Sequence, residues 1–228
     1  MQLLEHFKEL TLRPKNAKEL KGLILQLAIQ GKLTANWREQ NKEVKLEIEK
    51  LKKNSEKSLD FLTKESKSIN QIDVPPTWLK LKFKTLFEMQ GGSQPPKSMF
   101  SSIHMDGYIQ LYQIRDFGKR PVPVYVPKDS VSKLCTEDDV MIGRYGASIG
   151  KIFYGKNGAY NVALVRLIWN RELLEQNFVY QIFSSFYMQE FFQNCTRSAQ
   201  AGFNKTDMGK LNIPLPPLEE QKEIVKVV

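Results

Sequence analysis

The first 74 residues carry apolar side chains at the spacing of an amphipathic helix. These side chains recur every three or four positions: Leu20, Leu23, Ile24, Leu27 and Ala28. That spacing places them on one helical face. Asn16 followed by Glu19 resembles an N-terminal capping box, and Gly31 is suited to stop the helix. A second, more polar helical pattern covers roughly 42–66. We therefore predict an N-terminal helical region over residues 1–74.

The pattern changes after Val74, because two prolines follow it and disfavour helix. Short apolar runs then alternate with glycine-containing turns, as in a sheet. Five runs predict strands: 107–114, 122–126, 139–143, 151–154 and 161–169. A helix predicted from about 172 to 194 has an apolar residue at every fourth position from Leu174 to Phe186. The chain is therefore predicted to have an α+β fold, with a mixed α/β domain over 75–212.

Residues 213–228 predict the start of a further helix. The Pro216-Pro217 pair stands where this helix would begin, and Glu219 and Glu220 suit the positive end of its dipole. An apolar stripe follows: Leu218, Ile224, Val225 and Val228. No stop signal comes after the stripe. The pattern indicates a helix that is truncated or that expects a partner helix.

Charge adds the first indication of function. The formal net charge is +9, and residues 75–212 hold 17 Lys/Arg against 11 Asp/Glu. This excess favours a polyanionic partner, although many soluble proteins are mildly basic. No apolar run reaches the roughly 18 residues that span a bilayer, and the N-terminus lacks the features of a signal peptide. We expect a cytoplasmic protein without a membrane partner, in which Cys135 and Cys195 are structural thiols.

The common catalytic motifs are missing together. His6 and His104 have no triad context, and the run from Gly146 to Lys151 is one residue too short for a phosphate-binding loop. The acidic run 137–139 directly precedes apolar residues, so it is better explained as a turn entering a strand than as a metal site. We therefore predict that the chain is not an enzyme and holds no metal or cofactor.

Four stretches carry a resemblance to a known family: LILQLAIQGKL at 23–33, IGRYGASIGKIF at 142–153, GAYNVALVRL at 158–167 and NIPLPPLEEQKEIV at 212–225. In this order, they closely resemble the specificity subunit of type I restriction-modification systems. The resemblance extends to Pro76-Thr77-Trp78 and to residues 107–118, and so covers nearly the whole chain.

The resemblance implies two target recognition domains per full-length subunit, joined by long helices of a coiled-coil-type spacer. Each domain reads one half of a bipartite site in double-stranded DNA. The helices dock the type I methyltransferase (modification) subunit, and through it the restriction subunit. This chain has one such domain, so we expect a fragment or a half-subunit that forms a homodimer. S-adenosylmethionine and base flipping would belong to the methyltransferase.

Candidate DNA contacts lie in the polar connections. Arg144, Tyr145, Ser148 and Lys151 fill a glycine-rich loop that could instead be a tight structural turn. Strand alternation would place Gln113 and Arg115 together on one face, where adenine and guanine readout competes with simple solvation. The remaining candidates are Gln94, Lys97, Asn161, Gln200 and Lys205. Asn204 has the alternative of capping a helical turn.

The apolar stripes of the flanking helices are candidates for the partner interface: Leu23, Ile24, Leu27, Leu218, Ile224 and Val225. Core packing between two helices is their simpler role. Other functions stay open, namely non-specific nucleic-acid binding, a helical assembly module, an RNA-binding module that stacks bases on its tyrosines, and a cryptic nuclease.

Overall fold

The structure is a computed structural model that describes residues 14–44, 72–196 and 202–228. Most of the second helix predicted over 42–66 lies outside these residues, as does Gln200. Within the described ranges, no helix combines the length and the apolar character needed to cross a membrane.

Most of the strands follow one another between the third and fourth α-helices, and most other α-helices lie near the two ends of the chain. The helices are α1 Pro14–Ile29, α2 Ala35–Gln40, α3 Phe83–Leu86, α4 Gln176–Ser184, α5 Phe186–Thr196, α6 Lys205–Gly209 and α7 Leu218–Val227. The strands are β1 Leu79–Lys82, β2 Phe87–Gly91, β3 Tyr108–Tyr112, β4 Tyr125–Pro127, β5 Leu134–Cys135, β6 Val140–Gly143, β7 Ile152–Tyr154, β8 Gly158–Tyr160, β9 Leu164–Trp169 and β10 Asn212–Leu215. Each of the five runs predicted as strands overlaps one, so the α+β class is confirmed.

The chain separates into two compact units, and the first is mainly helical. This helical unit comprises Met1–Leu81, Glu172–Glu190 and Asn212–Val228, as far as they are described, with a small β1–β10 sheet. Helix α1 ends as predicted, since Gly31 has a φ of +68° and the amides of Gly31 and Lys32 donate to the carbonyls of Ala28 and Leu27. The capping box at Asn16 is wrong, because the helix already includes Pro14.

The helix predicted from 172 to 194 is interrupted once. Ser185 has extended backbone angles between α4 and α5, and its hydroxyl donates to the Ile182 carbonyl at 2.6 Å. The side chain thus competes with the helical backbone at this position.

The prediction that Ile224 of α7 belongs to the partner interface is wrong. Its side chain is fully buried within the chain, so it belongs to the core.

The second unit, Lys82–Arg171 with Phe191–Leu211, holds two four-stranded sheets. One sheet has the order β2-β9-β6-β7 and is antiparallel throughout. The other has the order β4-β3-β8-β5, in which β3 and β8 are parallel. Three consecutive residues of β6, Val140 to Ile142, have no solvent exposure. This central strand is buried on both faces, which explains its uninterrupted apolar sequence.

Candidate nucleic-acid interface

Most of the predicted contact residues follow strands that end at one place in the antiparallel sheet. Gly91, the last residue of β2, lies opposite Val165 near the start of β9. Gly143, the last residue of β6, lies opposite Leu164, while Ile142 pairs with Ile152 at the start of β7. The connections 92–97, 144–151 and 161–163 therefore leave the sheet from the same end. We call these three connections the sheet end.

The second sheet meets the sheet end at Asn161. Tyr112 and Tyr160 pair at the ends of the parallel strands β3 and β8, and the Asn161 amide donates to the Tyr112 carbonyl at 3.0 Å. The Asn161 side chain then accepts from the Ala163 amide at 3.2 Å, which turns the chain into β9. Gln113, which follows Tyr112, is thus placed near Asn161 and the sheet end.

Two glycines allow the connections to pack this closely. A Cβ atom on Gly92 would lie 2.2 Å from the Asn161 carbonyl oxygen. A Cβ atom on Gly143 would lie 2.1 Å from the Ser148 carbonyl oxygen. Real Cβ atoms do not approach backbone this closely, so both positions need glycine for space.

Arg144 is a basic residue of the sheet end whose position is fixed by contacts with neighbouring residues. Its amide donates to the Ala163 carbonyl at 2.9 Å, and a Cβ on Gly91 would lie 3.7 Å from its Nη1 atom. The guanidinium carbon lies 5.1 Å from the centre of the Tyr145 ring. Its Nε atom is buried without a hydrogen-bond partner, and no described carboxylate forms an ion pair with it. The charge of Arg144 is therefore not neutralised within the described chain.

The residues after Arg144 form a short exposed turn. Tyr145 is 44% exposed, and its ring lies against Gly202. Ser148 ends a single 3₁₀ turn that begins at Gly146, and its hydroxyl accepts from the exposed Lys151 ammonium at 3.4 Å. Arg144, Tyr145 and Lys151 therefore offer a cation, an aromatic ring and a second cation side by side.

The alternation predicted for Gln113 and Arg115 is wrong. Strand β3 ends at Tyr112, and Gln113 caps a 3₁₀ helix over Ile114–Phe117. The buried Asp116 carboxylate accepts from the Gln113 amide at 2.8 Å and completes a capping box. Gln113 is consequently half-buried, whereas Arg115 is exposed in the 3₁₀ helix. The two side chains do not share a strand face.

The other described candidates are exposed side chains in connections or at the start of a helix. Gln94 and Lys97 are exposed in the 92–97 connection, and Lys97 begins a 3₁₀ turn. Lys205 is the exposed first residue of α6. Asn204 caps that helix by accepting from the Asp207 amide at 3.0 Å, which confirms its capping role. Sequence reasoning missed Ser93, whose hydroxyl is buried beside Gly92 without a hydrogen-bond partner among the described residues. The Gly91-Gly92 pair after the alternating run Phe87 to Gln90 was the available signal.

Several basic side chains of this unit form ion pairs or hydrogen bonds within the chain instead. The buried Asp139 carboxylate pairs with Arg166 at 3.4 Å and Arg171 at 3.2 Å. Burial lowers the pKa of Arg171, and Asp139 opposes that shift. Lys156 donates to the Asp116 carbonyl at 2.8 Å, and its ammonium lies 5.1 Å from the centre of the Phe117 ring. The acidic run thus supplies an ion-pair partner, and no group of three metal-ligating side chains occurs among the described residues.

The family model and the similar proteins all point to the same family. The family model for the type I restriction modification DNA specificity domain matches residues 75–228. The specificity subunit of the MjaVIII enzyme from Methanocaldococcus jannaschii is 23% identical over 163 residues, which are 71% of this chain and 37% of that protein. The EcoDI specificity subunit from Escherichia coli is 23% identical over 226 residues, 94% of this chain and 46% of that protein. The chain therefore spans less than half the length of both relatives.

Solved structures show the same fold. The HsdS subunit from Thermoanaerobacter tengcongensis superposes with a TM-score of 0.56 at 19% identity, covering 99% of this chain and 46% of that one. A chain from a structure on complex assembly and conformational transition of the type I R-M system gives a TM-score of 0.54 at 20% identity, over 95% of this chain and 51% of that chain. Since the family model covers most of the sequence, the chain belongs to the type I restriction-modification DNA specificity family.

Proposed function

We propose that this chain recognises one half of a bipartite sequence in double-stranded DNA for a type I restriction-modification system. The observation that carries this proposal is the sheet end, where an arginine that pairs with no described carboxylate lies beside an exposed tyrosine and lysine. Arginine can donate two hydrogen bonds to a guanine edge, and lysine neutralises phosphate. The target recognition domain would be residues 75–212, as the sequence predicts.

Each candidate at the sheet end suits a different part of a DNA duplex. Arg144 and Tyr145 would contact bases or sugars, and Ser148 and Asn161 would add polar contacts near them. Lys151 would bind phosphate. Gln94, Lys97, Gln113, Arg115, Gln200 and Lys205 remain further proposed contacts, with Gln113 the most restricted of the described ones because it already caps a helix.

The helical unit would bind the other subunits of the system. Leu23 is 46% exposed on α1, and Ile24, Leu27, Leu218 and Val225 are partly exposed on α1 and α7. Apolar side chains left in contact with water often mark an interface. We assign them to the methyltransferase (modification) subunit, through which the restriction subunit joins. Longer coiled-coil-type spacer helices and a homodimer of half-subunits belong to the same proposal, as does a cytoplasmic location.

The chain itself would contribute recognition without catalysis. Its described residues show the Asp139 carboxylate bound by two arginines, which leaves the acidic run poorly suited to hold a metal for cleavage. Methyl transfer, its cofactor and base flipping would be the work of the modification subunit.

Selection from a pool of randomised duplexes, using the full chain, tests this function. We expect a selected duplex to compete about 100-fold better than its scrambled version at fixed salt, since single mismatches cost about 1–3 kcal/mol. Equal affinity for all duplexes would support a non-specific binder or an assembly module instead. Tighter binding of RNA at matched salt would support an RNA-binding module, and metal-dependent cleavage would support a nuclease.

Lys151→Ala is expected to weaken binding to all duplexes alike. Because Lys151 is exposed and would contact phosphate, its loss should reduce the slope of log affinity against log salt by ~1. Titrations over a range of salt concentrations measure this slope. Lys128→Ala is the matched control, since Lys128 bonds to Gly107 at the opposite end of β3 from Gln113. An unchanged slope for Lys151→Ala would remove this residue from the contacts.

A further inference from the structure

One carboxylate is buried in the first turn of α7. Glu220 is 1% exposed, and its Oε2 atom accepts from the Trp78 indole at 2.7 Å. Its Oε1 atom accepts from the Thr34 hydroxyl at 2.8 Å and forms an ion pair with the Arg38 guanidinium. A buried carboxylate is costly unless several donors surround it, and here three donors do so.

These donors come from the start of α2, which follows α1, and from the segment before β1. Thr34 precedes α2 and Arg38 lies within it, and Arg38 also donates to the Gly31 carbonyl at 2.8 Å. Gly31 is itself closed in by Trp78, because a Cβ there would lie 2.9 Å from the indole ring. Glu220 therefore joins the end of α1 to the start of α7 within the helical unit.

Gln221, the next residue, is buried as well and holds α7 on another side. Its side-chain amide donates to the Leu173 carbonyl at 2.7 Å, and its carbonyl oxygen accepts from the Glu175 amide at 2.9 Å. These contacts tie the start of α7 to the start of α4. The first turn of α7 is thus bound on two sides by hydrogen bonds that have defined directions.

We propose that Glu220 is a positioning residue that fixes the direction of α7 relative to α1. Apolar packing alone tolerates small rotations, whereas three donors on one carboxylate restrict them. The importance of this direction for docking the modification subunit rests on the proposed function, because α1 and α7 carry the proposed interface. The fixed geometry itself depends only on the contacts of Glu220.

Spin labels in the full chain measure this geometry. Lys21→Cys on α1 and Lys222→Cys on α7 place labels at two exposed positions, with both native cysteines replaced by serine. We expect Glu220→Gln to shift the label-to-label distance distribution or to widen it about twofold. The glutamine side chain replaces one acceptor oxygen with an NH₂ group, which cannot accept a hydrogen bond from any of the three surrounding donors. Glu219→Gln is the matched control: it removes an exposed charge from the same turn and should leave the distribution unchanged.

A folded Glu220→Gln chain with the wild-type distribution overturns the proposal, even if its melting temperature falls, because Glu220 would then only stabilise the unit. If Glu220→Gln does not fold, Thr34→Val provides the test. It removes one donor at nearly constant size, and a smaller widening is expected. An unchanged distribution in Thr34→Val also overturns the proposal.

The same preparations separate this inference from the proposed function. Failure of the wild-type chain to prefer any duplex contradicts the recognition function but leaves the measured distances as they are. Unchanged distances in the variants contradict the positioning role and leave the duplex preference of the wild-type chain intact.

Discussion

Arg144→Glu is expected to abolish sequence-specific DNA binding. A two-donor contact between arginine and a base contributes about 1–3 kcal/mol of discrimination, and a carboxylate in its place would also repel phosphate. We therefore expect the affinity for the selected duplex to fall about 100-fold or more, to the level of scrambled duplex. Fluorescence anisotropy with both duplexes at fixed salt measures this loss.

Lys128→Glu is the control for this charge reversal. It changes the net charge of the chain by the same amount, but its backbone amide bonds to Gly107, at the start of β3 rather than near its end. We expect it to retain the preference for the selected duplex. Wild-type affinity in the Arg144→Glu chain would show that the 144–151 connection does not contact DNA.

Gly143→Ala should have the largest effect on stability. The new methyl group would lie 2.1 Å from the Ser148 carbonyl oxygen, and the backbone cannot easily move away. The Gly143 amide donates to Lys151 at 2.9 Å, and its carbonyl accepts from Gly150 at 3.0 Å. Forcing an atom into such a site should cost about 3 kcal/mol. Urea unfolding should show a lower midpoint with an unchanged slope.

Gly146→Ala separates steric overlap from backbone strain in the same loop. Gly146 has a φ of +59°, but no atom lies within 4 Å of an added Cβ. We expect a cost of only about 1 kcal/mol, which is typical of an L-residue in the left-handed region. Equal losses in the two variants would contradict the crowding described at Gly143.

The strands that sequence could predict are those with long apolar runs. β6 and β9 fall in this group, since they are largely buried. β8 was missed because it has three residues and begins at Gly158, and an Asn157-Gly158 pair is typical of a turn. Gly158 is instead required by close packing, as an added Cβ would lie 2.7 Å from the Tyr112 ring. Such a contact between distant segments leaves no periodic signal.

The sequence predicts which residue types form the candidate site better than it predicts their contacts. The glycine-rich loop around Arg144 was recognisable, whereas the sequence did not show which basic side chains form ion pairs. Arg166 and Arg144 are both basic residues next to apolar runs, yet only Arg166 pairs with Asp139, which is 27 residues away in sequence. Likewise, the alternation at Gln113 failed because Asp116 ends the strand pattern with a local cap.

The separation between buried strands and polar connections has a consequence for evolution. Substitutions at exposed positions such as Gln94 or Lys151 would alter the surface proposed to contact DNA while leaving the apolar core of β6 and β9 in place. New target preferences would therefore arise at little cost to folding. Variants selected for a new target should accumulate changes in 92–97 and 144–151 but retain Gly92 and Gly143, where any side chain meets backbone.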